Sequence, residues 1–346
     1  MTTCNARRLL AALCLAAVLA LAGGLRAEES APEAASLTGL RLVWQQYNRC
    51  AAAALAIHLS YFETWRGSYD QVIAALNPHE DDVSVRMDEM AAYAEAQGLS
   101  ALVRTGGTLD TVRALINAGF PLLVENVHYE GPNDWMSHNW VLMGYDNAAG
   151  VVLAYDPRLG AGPNGLGRPM PYAEFEAGWK PFNRNYLLLF DPADTARVQA
   201  ALGDQWDAAA NAERTLAQAQ AEIATDPDDA FALFNAGTAL VALGRYAEAA
   251  PLFDRALEIG LPWRMLWYQY GPFEAYLHTG RYNDTLALVE RVLRTTPGVE
   301  EMYYYAGRAY EGLGSAERAA ANYRVALWRN RYYAEAEAAL VALTGE

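Results

Sequence analysis

The sequence predicts an α+β domain over residues 38–192, followed by an all-α helical repeat region over residues 229–346. Three observations predict it. Helix-period and strand-period patterns alternate up to Pro192. Beyond it the composition turns Ala-rich and helical. Within that helical part, similar surroundings recur around Gly237 and Gly307, seventy residues apart. A chain of 346 residues, 53% of them hydrophobic, is long enough for two cores.

Residues 1–27 carry the basic pair Arg7-Arg8, an apolar stretch from Leu9 to Ala22 and small residues at Gly23-Gly24-Leu25-Arg26-Ala27. This is the pattern of a secretory signal peptide. The stretch is shorter than the roughly 20 residues a spanning helix needs, so an uncleaved membrane anchor is the second reading. Cys14 follows Leu13 in mid-run, where a lipoprotein acceptor would want a small residue, and is not read as a lipid site. Export to the periplasm or the exterior is therefore expected. Residues 28–37 are acidic and small and are read as a linker, with order starting near Thr38.

The α+β part reads as follows. An apolar run from Ala51 to Leu59 predicts a helix after Cys50; further helices are expected at Arg86–Gln97 and Leu109–Asn117, and strands at Ala101–Arg104 and Pro121–Val127. His138–Asp146 and Val151–Asp156 flank the turn cluster Asp146-Asn147-Ala148-Ala149-Gly150 and predict a hairpin. Tyr186–Phe190 is a last strand. The glycine-rich Gly160–Gly167 follows a strand instead of opening a helix, so it is a rim loop and not a phosphate cradle.

Residues 193–228 are read as a bridging helical segment. Then Phe234-Asn235-Ala236-Gly237 with Gly244-Arg245-Tyr246, and Tyr304-Tyr305-Ala306-Gly307 with Gly314, keep a beat of thirty-five residues. Gly280-Arg281-Tyr282 falls between them. The pattern resembles the tetratricopeptide repeat, a helix–turn–helix unit of about 34 residues. Three repeats and a capping helix at Tyr333–Leu343 are expected. The middle repeat departs from the pattern at Gly271-Pro272, which predicts a kinked helix.

Chemistry points to Cys50. Losing the leader removes Cys4 and Cys14 and leaves one unpaired thiol in a compartment that favours disulfides, for which intermolecular pairing is one reason and catalysis the other. Cys50 stands where a helix begins, and the positive end of the helix dipole stabilises a thiolate there. Asn48 is the expected N-cap. Gln45 lies five residues upstream, where its amide can donate to an oxyanion.

A cysteine nucleophile needs a base and a group to orient it. His58 is eight residues along the same helix, about 12 Å away by helical rise, and cannot reach Cys50. His79 sits in an acidic loop and His278 in the repeats. If the hairpin turns at Asn147 or Ala148, Asp156 lies opposite or diagonal to His138. His128 lies outside that hairpin. His138 is therefore the expected base and Asp156 its orienting acid.

Trp44-Gln45-Gln46-Tyr47-Asn48-Arg49-Cys50, Ser137-His138-Asn139-Trp140-Val141-Leu142-Met143-Gly144-Tyr145-Asp146 and Tyr155-Asp156-Pro157 together resemble the double-glycine-leader (bacteriocin-processing) peptidase family and its stand-alone secreted relatives, which are papain-like cysteine peptidases. The resemblance covers residues 38–192. It implies a papain-like fold, with Cys50 as nucleophile, His138 as general base, Asp156 as orienting acid and Gln45 as oxyanion donor. Two departures stand out. The family places Gly-Pro after the cysteine and often Gly before the histidine, whereas this chain has Ala51-Ala52 and Ser137. Without glycine at 51 a substrate backbone has less room to approach.

The expected function is an exported cysteine peptidase-like hydrolase, with repeats that recruit a protein partner or the substrate. The alternative is a non-catalytic peptide-binding scaffold that retains the fold, and acyl transfer to an amine would use the same thioester. Net charge is −15, and −18 without the three arginines of the leader, which disfavours nucleic acid as a partner. No metal constellation and no cofactor motif is recognised, and no membrane insertion is expected once the leader is cleaved.

Overall fold

Period-two alternation along three strands sets the layers. In the computed structural model, which describes residues 32–129, 131 and 134–345, a seven-stranded antiparallel sheet has helices on both faces. Its strands are β1 (Ala34–Ser36), β2 (Ser100–Arg104), β3 (Leu122–Tyr129), β4 (Trp135–Asp146), β5 (Val151–Tyr155), β6 (Arg168–Pro171) and β7 (Tyr186–Phe190). The order is β2-β7-β3-β4-β5-β6, with β1 pairing with the C-terminal end of β4. The leader and residues 28–31 of the expected linker lie outside the described residues. The linker reading fails at Ala34–Ser36: β1 pairs Ala35 with Tyr145 and Ser36 with Gly144, and glycine at 144 is required because a Cβ there would sit 2.6 Å from the Ala35 carbonyl.

Leu123, Val141, Met143, Leu187 and Leu189 face one helical layer, made of α1 (Cys50–Leu59), α2 (Tyr69–Leu76) and α3 (Met87–Ala96). Their alternates Leu122, Val124, Trp140, Leu142 and Leu188 face the other, made of α4 (Leu109–Asn117), α5 (Tyr172–Trp179) and α6 (Thr195–Leu202). Helix α1 is buried all round, from Ala51 to Leu59, as an apolar run without a polar face must be. The structure adds α2, β6 and α5 to the elements expected from the sequence. Ser68 opens α2 with a reciprocal capping box to Gln71, a signal present in the sequence.

Helix α7 (Ala208–Thr225) leads into three helix pairs: α8 (Ala230–Ala242) with α9 (Tyr246–Ile259), the divided α10 (Met265–Tyr268) and α11 (Gly271–His278) with α12 (Tyr282–Leu293), and α13 (Glu300–Gly312) with α14 (Ala316–Arg329). Helix α15 (Ala334–Thr344) caps them. The repeat glycines let paired helices touch. A Cβ on Gly237 would lie 2.8 Å from the Phe253 ring and one on Gly307 2.4 Å from the Tyr323 ring. The middle helix is broken outright, because Gln269 is extended (φ −135°, ψ 121°).

From Ala34 onwards the chain forms one compact unit. Ionic contacts join its parts: Lys180 to Asp229 and to Glu222 at 3.1 Å, and Arg184 to Glu222 at 2.7 Å. On the other side Arg86 lies 3.9 Å from Glu301 and 5.1 Å from the Tyr333 ring centre, while the Asn330 amide donates to Glu89 (3.0 Å) and Glu300 (2.9 Å). Among the described residues, no helix is long and apolar enough to cross a membrane.

Replacing Gly307 by alanine should overpack α13 against α14 and cost about 1–3 kcal/mol, read as a lower midpoint in chemical denaturation.

Candidate active site

The Cys50 position is built by the loop before α1. Asn48 is not the N-cap. It adopts the left-handed conformation (φ 53°), which asparagine tolerates, and Arg49 takes the cap position without a side-chain cap bond. The Arg49 guanidinium instead donates to the backbone carbonyls of Asp82 (3.1 Å) and Glu80 (3.2 Å). The Tyr69 hydroxyl accepts from the Gln46 N–H (2.9 Å) and donates to the Arg49 carbonyl (3.4 Å). Cys50 is thus fixed as the first residue of α1, a free thiol, with the unsatisfied N–H groups of the helix start beside it.

The hairpin brings the other groups in. Its register pairs Val141 with Tyr155 and Leu142 with Ala154, and a bulge between Leu142 and Gly144 takes up one residue. Asp156, next in line, is diagonal to His138. His138 Nε2 lies 2.8 Å from Asp156 Oδ1. The same oxygen accepts the N–H groups of Arg158 (2.7 Å) and Leu159 (3.0 Å), in a turn closed by the Asp156–Gly160 bridge. Gln45 is tied to this turn, since its backbone N–H donates to the Pro157 carbonyl at 2.9 Å. Its side-chain Oε1 is buried and makes no hydrogen bond.

Cys50, His138, Asp156 and Gln45 therefore come together. The first two and Gln45 line a cleft of about 480 Å³. The structure adds Asn139, whose amide points at Cys50 Sγ from 3.8 Å and whose position beside His138 was its only sequence signal. It also adds Glu125, which holds the Ser137 hydroxyl and the Asn185 amide (2.8 Å) and lines the cleft. His128 lines it too, its ring 5.3 Å from that of His138. His58 is fully buried inside α1, where burial pushes it down to about 3 and keeps it neutral. The glycine-rich loop packs on Trp44 through Gly160 and leads to β6.

The three groups favour one another's charged forms. Burial alone would push the Cys50 thiol up, but the hydrogen bond and charge of His138, with Asn139, bring it below its ordinary value. Burial disfavours the His138 cation, yet Asp156 and Cys50 outweigh this and hold it at about 9. Asp156 is pushed up by burial but falls below the ordinary range through His138 and the two turn N–H groups. Glu125 is raised to about 7 by burial.

The model of the Peptidase_C39 like family matches residues 40–187, and those residues carry a papain-like, C39-like fold. Behind it stand helical repeats of tetratricopeptide type. No curated protein matches the chain. Among solved structures, a double glycine motif protease from an AMS/PCAT transporter, in complex with its leader peptide, is 19% identical with a TM-score of 0.34, over 45% of this chain and 94% of that one. MamA from Desulfovibrio magneticus RS-1 is 21% identical with a TM-score of 0.36, over 44% of this chain and 81% of that one. At these identities and scores neither likeness carries further weight.

Asp156→Asn should let His138 fall from about 9, because the carboxylate that favours its cation is gone, and the Cys50 thiol should rise with it. A histidine NMR titration alongside thiol titration reads both.

Proposed function

We propose that the chain is a thiol-dependent peptide hydrolase, carried by one observation: His138, hydrogen-bonded to Asp156 at 2.8 Å, lines the same open cleft as Cys50, whose thiol it favours as the thiolate. In this reading the Cys50 thiolate attacks a peptide carbonyl. The Cys50 N–H and the Gln45 amide take the developing oxyanion. The His138 imidazolium gives its proton to the leaving amine, which departs as the thioester forms. His138, now neutral, takes a proton from water, the resulting hydroxide attacks the thioester, and the acid leaves as the thiolate is restored. Asp156 holds the ring through Nε2, leaving Nδ1 for the sulphur.

Export follows from the leader pattern, and the repeats serve to bring a protein partner or substrate to the cleft. The non-catalytic reading is favoured by Ala51, which lines the cleft where the family places glycine. It predicts peptide affinity without turnover.

Cys50→Ala should abolish peptide hydrolysis, and His138→Ala should lower it by about 10²–10⁴-fold. Either variant hydrolysing peptides at the wild-type rate would refute the reading. The pH profile of kcat/KM should be bell-shaped. Its acid limb lies below the ordinary thiol range, because the thiolate is lost as pH falls through the lowered Cys50 value. Its alkaline limb lies near 9, where the imidazolium proton is lost as pH rises.

A further inference from the structure

The break in the middle repeat is not a relaxed defect, because it is held from both sides. The Gln269 amide donates to the Pro181 carbonyl (2.7 Å), and the Tyr270 hydroxyl donates to the Trp267 carbonyl (2.8 Å) and meets the Ser84 hydroxyl at 3.1 Å. The Tyr268 ring lies 6.2 Å from that of Trp135 and 6.3 Å from that of Phe182. Its hydroxyl faces the backbone N–H of Ser137, the residue before His138. A continuous helix would not deliver these side chains there. The consequence is that Arg264, Trp267 and Tyr268, all from the repeats, line the same cleft as Cys50.

Val83, Val85 and Met136, from outside the repeats, line the cleft too, Val83 packing against the repeat core. Beside Trp267 and Tyr268, Arg264 and Glu125 are already engaged. Asp134 holds Arg264, whose guanidinium also stacks on Trp263 (4.3 Å) and Trp267 (5.2 Å), and Glu125 holds Ser137 and Asn185. A charged substrate side chain would have to break those pairs or enter without a partner, whereas an apolar one gains contact with two aromatic and three aliphatic neighbours.

We propose that Trp267 and Tyr268, with Val83, Val85 and Met136, form a substrate subsite for a bulky apolar side chain of the peptide, so that the repeat region sets cleavage specificity as a wall of the active site. This rests on the reading of Cys50 as the nucleophile.

The test uses the full-length protein and peptidyl vinyl sulfones, to which the thiolate adds across the double bond, bearing Phe, Leu, Ala, Asp or Lys at each position in turn. At one position the wild type should react with the Phe and Leu reagents faster than with Ala, Asp or Lys. That Phe-over-Ala ratio should fall by about tenfold or more in Trp267→Ala and Tyr268→Ala. Val85→Trp, which fills the subsite from a residue outside the repeats, should invert it. Unchanged ratios in all three variants would overturn the proposal. Peptide binding to the Cys50→Ala protein separates this from the catalytic reading. A Phe-peptide affinity lost in Cys50→Ala/Trp267→Ala sustains the subsite even if the wild-type thiol proves inert, and an affinity retained there refutes the subsite even if the thiol is reactive.

Discussion

How closely helix α1 can lie on strand β4 decides everything else at the site. Ala51, Ala52, Ala54 and Ala56 of the helix are all buried, in one cluster with Val141 and Met143 of β4. Small side chains let the backbones approach until the first residue of the helix meets His138 and Asn139 near the middle of β4. Larger residues would hold the two apart, and a sulphur reached only at 3.8 Å by Asn139 leaves little room for that. Where the resembling family has Gly-Pro after its cysteine this chain has Ala51-Ala52, and at 51 alanine adds only a single methyl to glycine.

Once in contact, the three ionisable groups stabilise one another. Each is largely buried, and burial alone would favour the neutral thiol, the neutral imidazole and the protonated acid. The pairing reverses all three preferences. His138 does this because it touches both partners, with a carboxylate on Nε2 and the thiol on the other side. The Asp156 turn, closed by Gly160, is tied through the Pro157 carbonyl to the backbone of Gln45.

The repeats are not an appendage on a linker. They dock through Lys180, Arg184 and Arg86 on carboxylates of the helical region, and through aromatic packing around Tyr268. Removing water from Glu89, Glu300 and Glu301 raises all three carboxyls, Glu89 to about 7. That cost is met by Arg86 and Asn330 at the same boundary. A regular solenoid would present helix faces there; this one breaks a helix and sends side chains into the cleft.

The sequence alone determined the order of domains, the cysteine at a helix start, the hairpin and the repeat period, since each rests on local propensity or short-range periodicity. Helix α4 and strand β7 follow directly from such patterns. The pairing of His138 with Asp156 was legible because a hairpin register is a local quantity, and the bulge left it diagonal. Tertiary structure alone decided the rest. Strand β1 is too short and too polar in context to read, and only the close approach at Gly144 makes it a strand. Asn48 has the composition of an N-cap, but the turn needs its left-handed conformation one residue earlier. Glu125, Asn139, Trp267 and Tyr268 reach the cleft from separate segments of the chain. Their meeting is set by packing between elements far apart in sequence, and local pattern carries no record of that.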